Sequence, residues 1–351
     1  MRIPDLASIG RLAKRGIVPA GLLVCGTVCA LLLAEGAVRL FFDEGSRPRI
    51  VVDSGFGVRA NRSNASVRLY APDEYRVSVT TNSHGMRGGG REYALARPPG
   101  ATRIALLGDS FIYGTGVSDQ DVVSAALEDL WNSDHDAEPV EVLNFGISGS
   151  GQAEQFKTYL HKVRAFNPDH VILFYFSNDI GNNVVSNLFA LDDEGALRST
   201  GRDFLPGMKS RGILYGFGPL RWVLYRSHLW NVVRNRLSYL VQTRMLDDQG
   251  LTSYSDGDER SESLTIALLT DFVRQIESDG ASPWIFIIPR KSGSSNFPMT
   301  IDEAAQIGAT VIDGRSIFVR DDYFPKDSHW NPTGHRKAAE AIGRRLAEWG
   351  G

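Results

Sequence analysis

From residue 104 onward the chain alternates short apolar runs with longer amphipathic segments, and nothing else in the sequence limits the fold as much. The runs at 104–107, 140–144, 170–176, 284–288 and 310–312 have the length of strands and little polar alternation, which predicts strands buried on both faces. Helical patterns lie at about 119–132, 152–166, 262–279 and 333–348. Strands alternating with helices in this way predict a parallel sheet with helices on both faces. On such a sheet, ligands bind beyond the carboxyl ends of the strands.

With 351 residues the chain can hold one domain of about 250 residues plus extensions. The net charge of -3 and the scattered Lys and Arg leave no basic footprint, so nucleic acid is not an expected partner. The two cysteines, Cys25 and Cys29, both fall in the apolar amino-terminal segment and are expected to be small packing residues. Val24 and Val28 stand where a lipidation pattern would need a small residue. No cluster has metal-ligand spacing, so neither a metal nor another cofactor is expected.

Residues 1–16 carry Arg2, Arg11, Lys14 and Arg15 against Asp5, and an uncharged run follows from Ile17 to Ala34. As a helix this run spans roughly 27 Å, close to the hydrocarbon thickness of a bilayer, and continuation to Phe42 lengthens it. The expected plan is a cytoplasmic tail at 1–16, a single-pass anchor at 17–42 and the rest of the chain periplasmic or extracellular. A cleaved signal peptide with a small-residue site at Ala34-Glu35-Gly36 is the alternative.

Residues 43–100 read as a small β-rich preamble, with alternating stretches at 67–70 and 75–79 and a polar, glycine-rich turn at 81–88. His84 in that turn fits either a surface loop or the mouth of a site. A long interruption, about 188–260, separates the third strand from the next helix. Its start, to 215, reads as loop, and Leu220 to Met245 reads as an amphipathic, Arg-rich helical insert: a packed cap, a lid, or a face resting on anionic lipid.

The strand ends carry polar groups suited to acyl transfer. The first strand runs into Gly108-Asp109-Ser110, the second into a glycine-rich loop containing Gly149, and the third into Ser177-Asn178-Asp179. Near the carboxyl terminus lies Asp327-Ser328-His329-Trp330-Asn331-Pro332, where Asn331 suits a helix cap and Pro332 a first helical turn. His335 is a rival base to His329, expected to be structural because it falls inside the predicted helix.

These blocks, in this order, resemble the SGNH (GDSL) hydrolases over roughly residues 101–350, and the anchor and the 82–88 turn look like those of membrane-tethered bacterial members. The resemblance implies an α/β fold, a flavodoxin-like three-layer sandwich with a central parallel sheet, here preceded by the transmembrane helix and the preamble. It assigns Ser110 as nucleophile, His329 as general base and Asp327 as the acid that fixes the imidazole, with Ser110, Gly149 and Asn178 as oxyanion-hole donors. One departure is the Asp-x-His spacing in place of the common Asp-x-x-His; it is similar to that of polysaccharide O-acetyltransferases of related fold. The expected function is hydrolysis of a small acyl ester, such as an acetyl group on an envelope or extracellular glycan. O-acetyl transfer to a polysaccharide by the same site, or a non-catalytic role in polysaccharide assembly, are the alternatives.

Overall fold

The computed structural model describes residues 6–41, 50–71, 73–133, 138–206, 217–230, 232–234 and 258–349. At its centre is a five-stranded sheet built from β5 (Thr102–Leu107), β6 (Val140–Asn144), β7 (His170–Tyr175), β10 (Ser282–Ile287) and β11 (Thr310–Asp313). The spatial order is β11-β10-β7-β5-β6 and every pairing is parallel. Counted along the chain, that order is the flavodoxin-like 2-1-3-4-5, whose strand direction of growth reverses beside β5.

Side-chain alternation divides the core in two. Ala105, Leu107, Leu173, Tyr175, Ile285 and Ile287 pack on one face with α4 (Gln152–His161) and α7 (Glu259–Ser278). Ile104, Leu106, Ile172, Phe174, Trp284 and Phe286 pack on the other with α3 (Val123–Asn132) and α9 (Pro332–Trp349). Strands buried on both faces have no polar side to alternate, which explains their unbroken apolar runs.

The preamble has more structure than its sequence suggested. Besides the hairpin of β3 (Ser66–Ala71) and β4 (Tyr75–Thr80), a second antiparallel pair joins β1 (Val51–Asp53) to β2 (Arg59–Asn61). The polar turn at 81–88 folds around Asn82, whose side-chain oxygen accepts from the N–H groups of His84 and Met86. His84 packs its ring edge-on against Phe166, 5.0 Å between centroids.

Two expectations for the 188–260 stretch need correction. Its start is not loop throughout: β8 (Phe189–Leu191) and β9 (Leu197–Ser199) form a hairpin around a turn at Gly195, where positive φ suits glycine. The insert's helix is not continuous: α6 (Gly218–Arg226) ends at extended Ser227, and a new helical turn begins at His228. The remainder, 235–257, lies outside the described residues. Short helices at Asp179–Ser186 (α5) and Ile301–Gln306 (α8) were also not foreseen.

Helix α1 (Leu6–Phe41) contains one stretch, Gly21–Phe41, long and apolar enough to cross a membrane by length and composition, with mean hydropathy 2.0. Cys25 and Cys29 do not pack inside the protein as expected; both are exposed on this helix, as are Leu22, Leu23, Leu32, Leu33, Leu40 and Phe41.

Candidate active site

The serine is presented by a sharp strand-to-helix junction. β5 ends at Leu107, and Ser110 opens the single turn α2 (Ser110–Tyr113), which Gly114 closes in the left-handed region. Asp109 caps the turn, its Oδ1 accepting from the Phe111 N–H at 2.9 Å. Gly108 is required by close approach: a Cβ there would lie 2.4 Å from Ile112 Cγ1 and 3.1 Å from Phe174 Cβ.

Across the sheet edge, the segment before α9 brings in the histidine. Asn331 caps α9 as expected, its Oδ1 accepting from Thr333 N–H at 2.9 Å and Gly334 N–H at 3.2 Å. Trp330, fully buried, stacks on Phe318 and meets Phe111 edge-on, anchoring the loop from which His329 projects. His329 Nε2 lies 2.7 Å from Ser110 Oγ, and its Nδ1 is hydrogen-bonded to Asp327 Oδ1. The His329 backbone N–H donates to the same carboxylate oxygen at 3.1 Å. Asp-x-His spacing therefore lets one carboxylate hold both the ring and the backbone of the residue two positions on.

Burial alone would raise the Asp327 carboxyl, but the His329 hydrogen bonds and charge, with a further bond from Tyr75, hold it below the usual carboxylate range. It stays ionised, as a group orienting an imidazole should. His335 is different. It is completely buried in α9, its Nδ1 accepts from the Val123 N–H at 3.3 Å, and burial, with Arg87 and His329 nearby, pushes its imidazole down to about 3. It is neutral and structural, not a second base.

Gly149 lies in the loop between β6 and α4 at φ +74°, a backbone state costly for residues with a Cβ. Among the described residues, the backbone N–H groups of Ser110 and Gly149 have no acceptor. Asn178 stands at the end of β7, and its amide donates a long bond, 3.4 Å, to Asp109 Oδ2. That oxygen also accepts from Ser110 Oγ at 3.5 Å. Burial pushes the Asp109 carboxyl above its usual range, opposed by these donors and by the His329 charge. The structure joins Ser110, His329 and Asp327 in one hydrogen-bonded chain and ties Asn178 to it through Asp109, while Gly149 lies in the loop after β6, held by Arg59.

Three neighbours were not foreseen. Tyr75 donates its hydroxyl to Asp327 Oδ2 at 3.2 Å, and Glu74 accepts from the Asp327 N–H at 2.9 Å. Arg59 donates to the Gly149 carbonyl at 2.7 Å and to the Ser148 carbonyl at 3.3 Å. Nothing local marks these side chains, because each acts about 90 or 250 positions from its own place in the chain.

No curated protein is significantly similar in sequence. Among solved structures, a two-domain esterase (CEX) active on acetylated mannans is 13% identical, with TM-score 0.42 over 71% of this chain and 49% of that one. The chain therefore spans about half the length of that esterase. A putative lipolytic protein of the G-D-S-L family from Desulfitobacterium hafniense DCB-2 is 13% identical, TM-score 0.40, over 69% of this chain and 98% of that one. The lipase/acylhydrolase from Enterococcus faecalis is 14% identical, TM-score 0.40, over 71% and 96%. A family model described as GDSL-like Lipase/Acylhydrolase matches residues 104–245, from the serine's strand into the insert. Residues 104–245, less than half of the chain, are thus similar to the GDSL-like lipase/acylhydrolases.

Proposed function

We propose that this chain is a membrane-held serine esterase that removes a small acyl group, such as acetyl, from an ester on an envelope or extracellular glycan. The observation that carries the reading is the 2.7 Å approach of His329 Nε2 to Ser110 Oγ, with Asp327 on the far side of the ring. A binding module has no need of that alignment; a serine nucleophile does.

With its Nδ1–H given to Asp327, His329 keeps the Nε2 lone pair for the Ser110 proton. Ser110 Oγ attacks the ester carbonyl while that proton passes to His329, and the oxyanion is met by the N–H groups of Ser110 and Gly149 and the amide of Asn178. His329 returns the proton to the departing alkoxide, leaving an acyl-serine. Water, deprotonated by the same imidazole, then attacks the acyl carbon, and the acid departs as His329 passes that proton back to Ser110 Oγ. Asn178 must turn from Asp109 toward the oxyanion, and its 3.4 Å bond there is long enough to give up easily. The small-acyl reading draws on the low exposure of Ser110, 8%.

A second reading, transfer of the acyl group to a sugar hydroxyl, draws on the Asp327-x-His329 spacing. Product analysis separates them: free acid with or without added glycan means hydrolysis, and acyl-glycan formation at the expense of free acid means transfer. The purified protein should cleave p-nitrophenyl acetate faster than longer-chain esters; a preference for long chains would overturn the small-acyl reading.

For the membrane, the reading is a retained anchor with the amino terminus inside. The basic residues ahead of the span support that orientation. Retention is supported by Glu35, near the end of the span, which accepts from Ser227 Oγ at 2.8 Å and from the N–H groups of His228 and Leu229 at 2.9 and 3.0 Å. Arg39 adds a bond to the Arg226 carbonyl at 2.8 Å. Cleavage after Gly36 would separate Glu35 from the helical turn that it caps. Amino-terminal sequencing of membrane-extracted protein should find the span intact, and a mature chain beginning at Ala37 would overturn this.

A further inference from the structure

We infer that the preamble is a working part of the active site: its two hairpins position the acid loop and the glycine loop, through Tyr75 with Glu74 and through Arg59. The inference rests on the proposed roles of Ser110, His329, Asp327 and Gly149. It places the boundary of the catalytic unit ahead of residue 50, not at residue 101.

The acid loop is held from the β3–β4 turn. Asp327 presents Oδ1 to His329, ring and backbone both, while Oδ2 accepts from the Tyr75 hydroxyl. With each carboxylate oxygen engaged from a different side, the plane of the group is fixed, and so is the tautomer of the imidazole. Glu74 holds the backbone beneath it, accepting from the N–H groups of Asp327 and Lys326. The Tyr75 ring itself is wedged between Phe324, 5.0 Å between centroids, and Gly116, where an added Cβ would lie 2.8 Å from the ring. The hydroxyl therefore has little freedom to leave Asp327.

The glycine loop is held from β2. Asn61 donates to the Gly146 carbonyl at 2.9 Å, and the Arg59 guanidinium spans the carbonyls of Ser148 and Gly149. Arg59 is in turn locked by a two-point pairing with Glu154 at 2.9 and 2.5 Å, in the first turn of α4, where Glu154 is 1% exposed. Holds on three of the four carbonyl oxygens from Gly146 to Gly149 fix the orientation of this loop, and with it the direction of the Gly149 N–H. Tyr75 and Arg59 are positioning residues: neither needs to touch substrate, yet each sets the aim of a group that does.

Full-length, detergent-extracted protein and p-nitrophenyl acetate provide the test. Tyr75→Phe keeps the ring packing and removes only the hydroxyl; it should lower kcat about 10-fold while KM and the thermal midpoint stay near wild type. Because losing Arg59 alone strands a buried Glu154, the second variant is Arg59→Gln with Glu154→Gln, which should also lower kcat far more than it raises KM. Wild-type kcat in both folded variants overturns the inference. Loss of kcat only in proportion to loss of folded protein overturns it too, by making the hairpins mere scaffolding. Unchanged turnover in Ser110→Ala would instead defeat the underlying reading of the site, a result distinguishable from either.

Discussion

Ser110 Oγ and His329 Nε2 stand 2.7 Å apart although 219 positions separate them in the chain. A hydroxyl is a weak nucleophile near neutral pH, so its rate of attack depends on this one contact. Ser110→Ala and His329→Ala should each lower turnover of a short-chain chromogenic ester by on the order of 10^4-fold or more, and combining them should cost little extra because they act as a unit. Fluorophosphonate labelling of the folded wild type, absent in Ser110→Ala, is the direct check.

His335 makes the fold sensitive to acid. An unfolded imidazole takes up a proton below about 6.5, whereas the buried His335 refuses it down to about 3. The unfolded state therefore binds more protons throughout that window, and stability falls as pH drops from about 6.5 by at most about 1.4 kcal/mol per pH unit. His335→Gln should lose less thermal stability than wild type between about pH 7.5 and 5, whatever its starting value. Equal losses would show that other groups carry the acid sensitivity.

Asp179 works in the opposite direction. Burial, reinforced by the neighbouring Asp109 charge, pushes its carboxyl well above the ordinary range, so the folded state keeps a proton that the unfolded state gives up. Stability contributed by this site is greatest below about 3.9 and declines as pH rises through the folded value. Both bonds that Asp179 accepts, from Gln152 Nε2 at 2.5 Å and Phe176 N–H at 3.1 Å, fall on the same oxygen. Asp179→Asn can keep that acceptor, and should gain thermal stability relative to wild type at about pH 8 but not at about pH 4. A variant less stable at both values would count against the raised carboxyl.

Gly108→Ala tests the junction that presents the serine. The added methyl would lie 2.4 Å from Ile112 and 3.1 Å from Phe174, side chains that are 0% and 1% exposed and have nowhere to go. Overpacking of this kind costs about 1–3 kcal/mol, and relief by shifting α2 would carry Ser110 off the His329 axis. Denaturant unfolding and ester turnover should both report a loss; wild-type values in both would mean that the turn is softer than its packing implies.

The chain by itself determined the sheet, because strands covered on both faces must be apolar throughout and that signature survives without any knowledge of their partners. It also determined which polar groups arrive at the strand ends, and the cap at Asn331 that starts the last helix. The β1–β2 pair, α5 and the break at Ser227 leave no clear mark in the sequence, being short features whose residues carry weak local preferences. Placement of His335 inside the last helix already set it apart from His329, and tertiary structure added the 2.7 Å contact of His329 with the serine and the complete burial of His335. Tertiary structure alone decided that Arg59, Glu74 and Tyr75 support the site, for a hydrogen bond has a reach of about 3 Å in space and no limit along the chain.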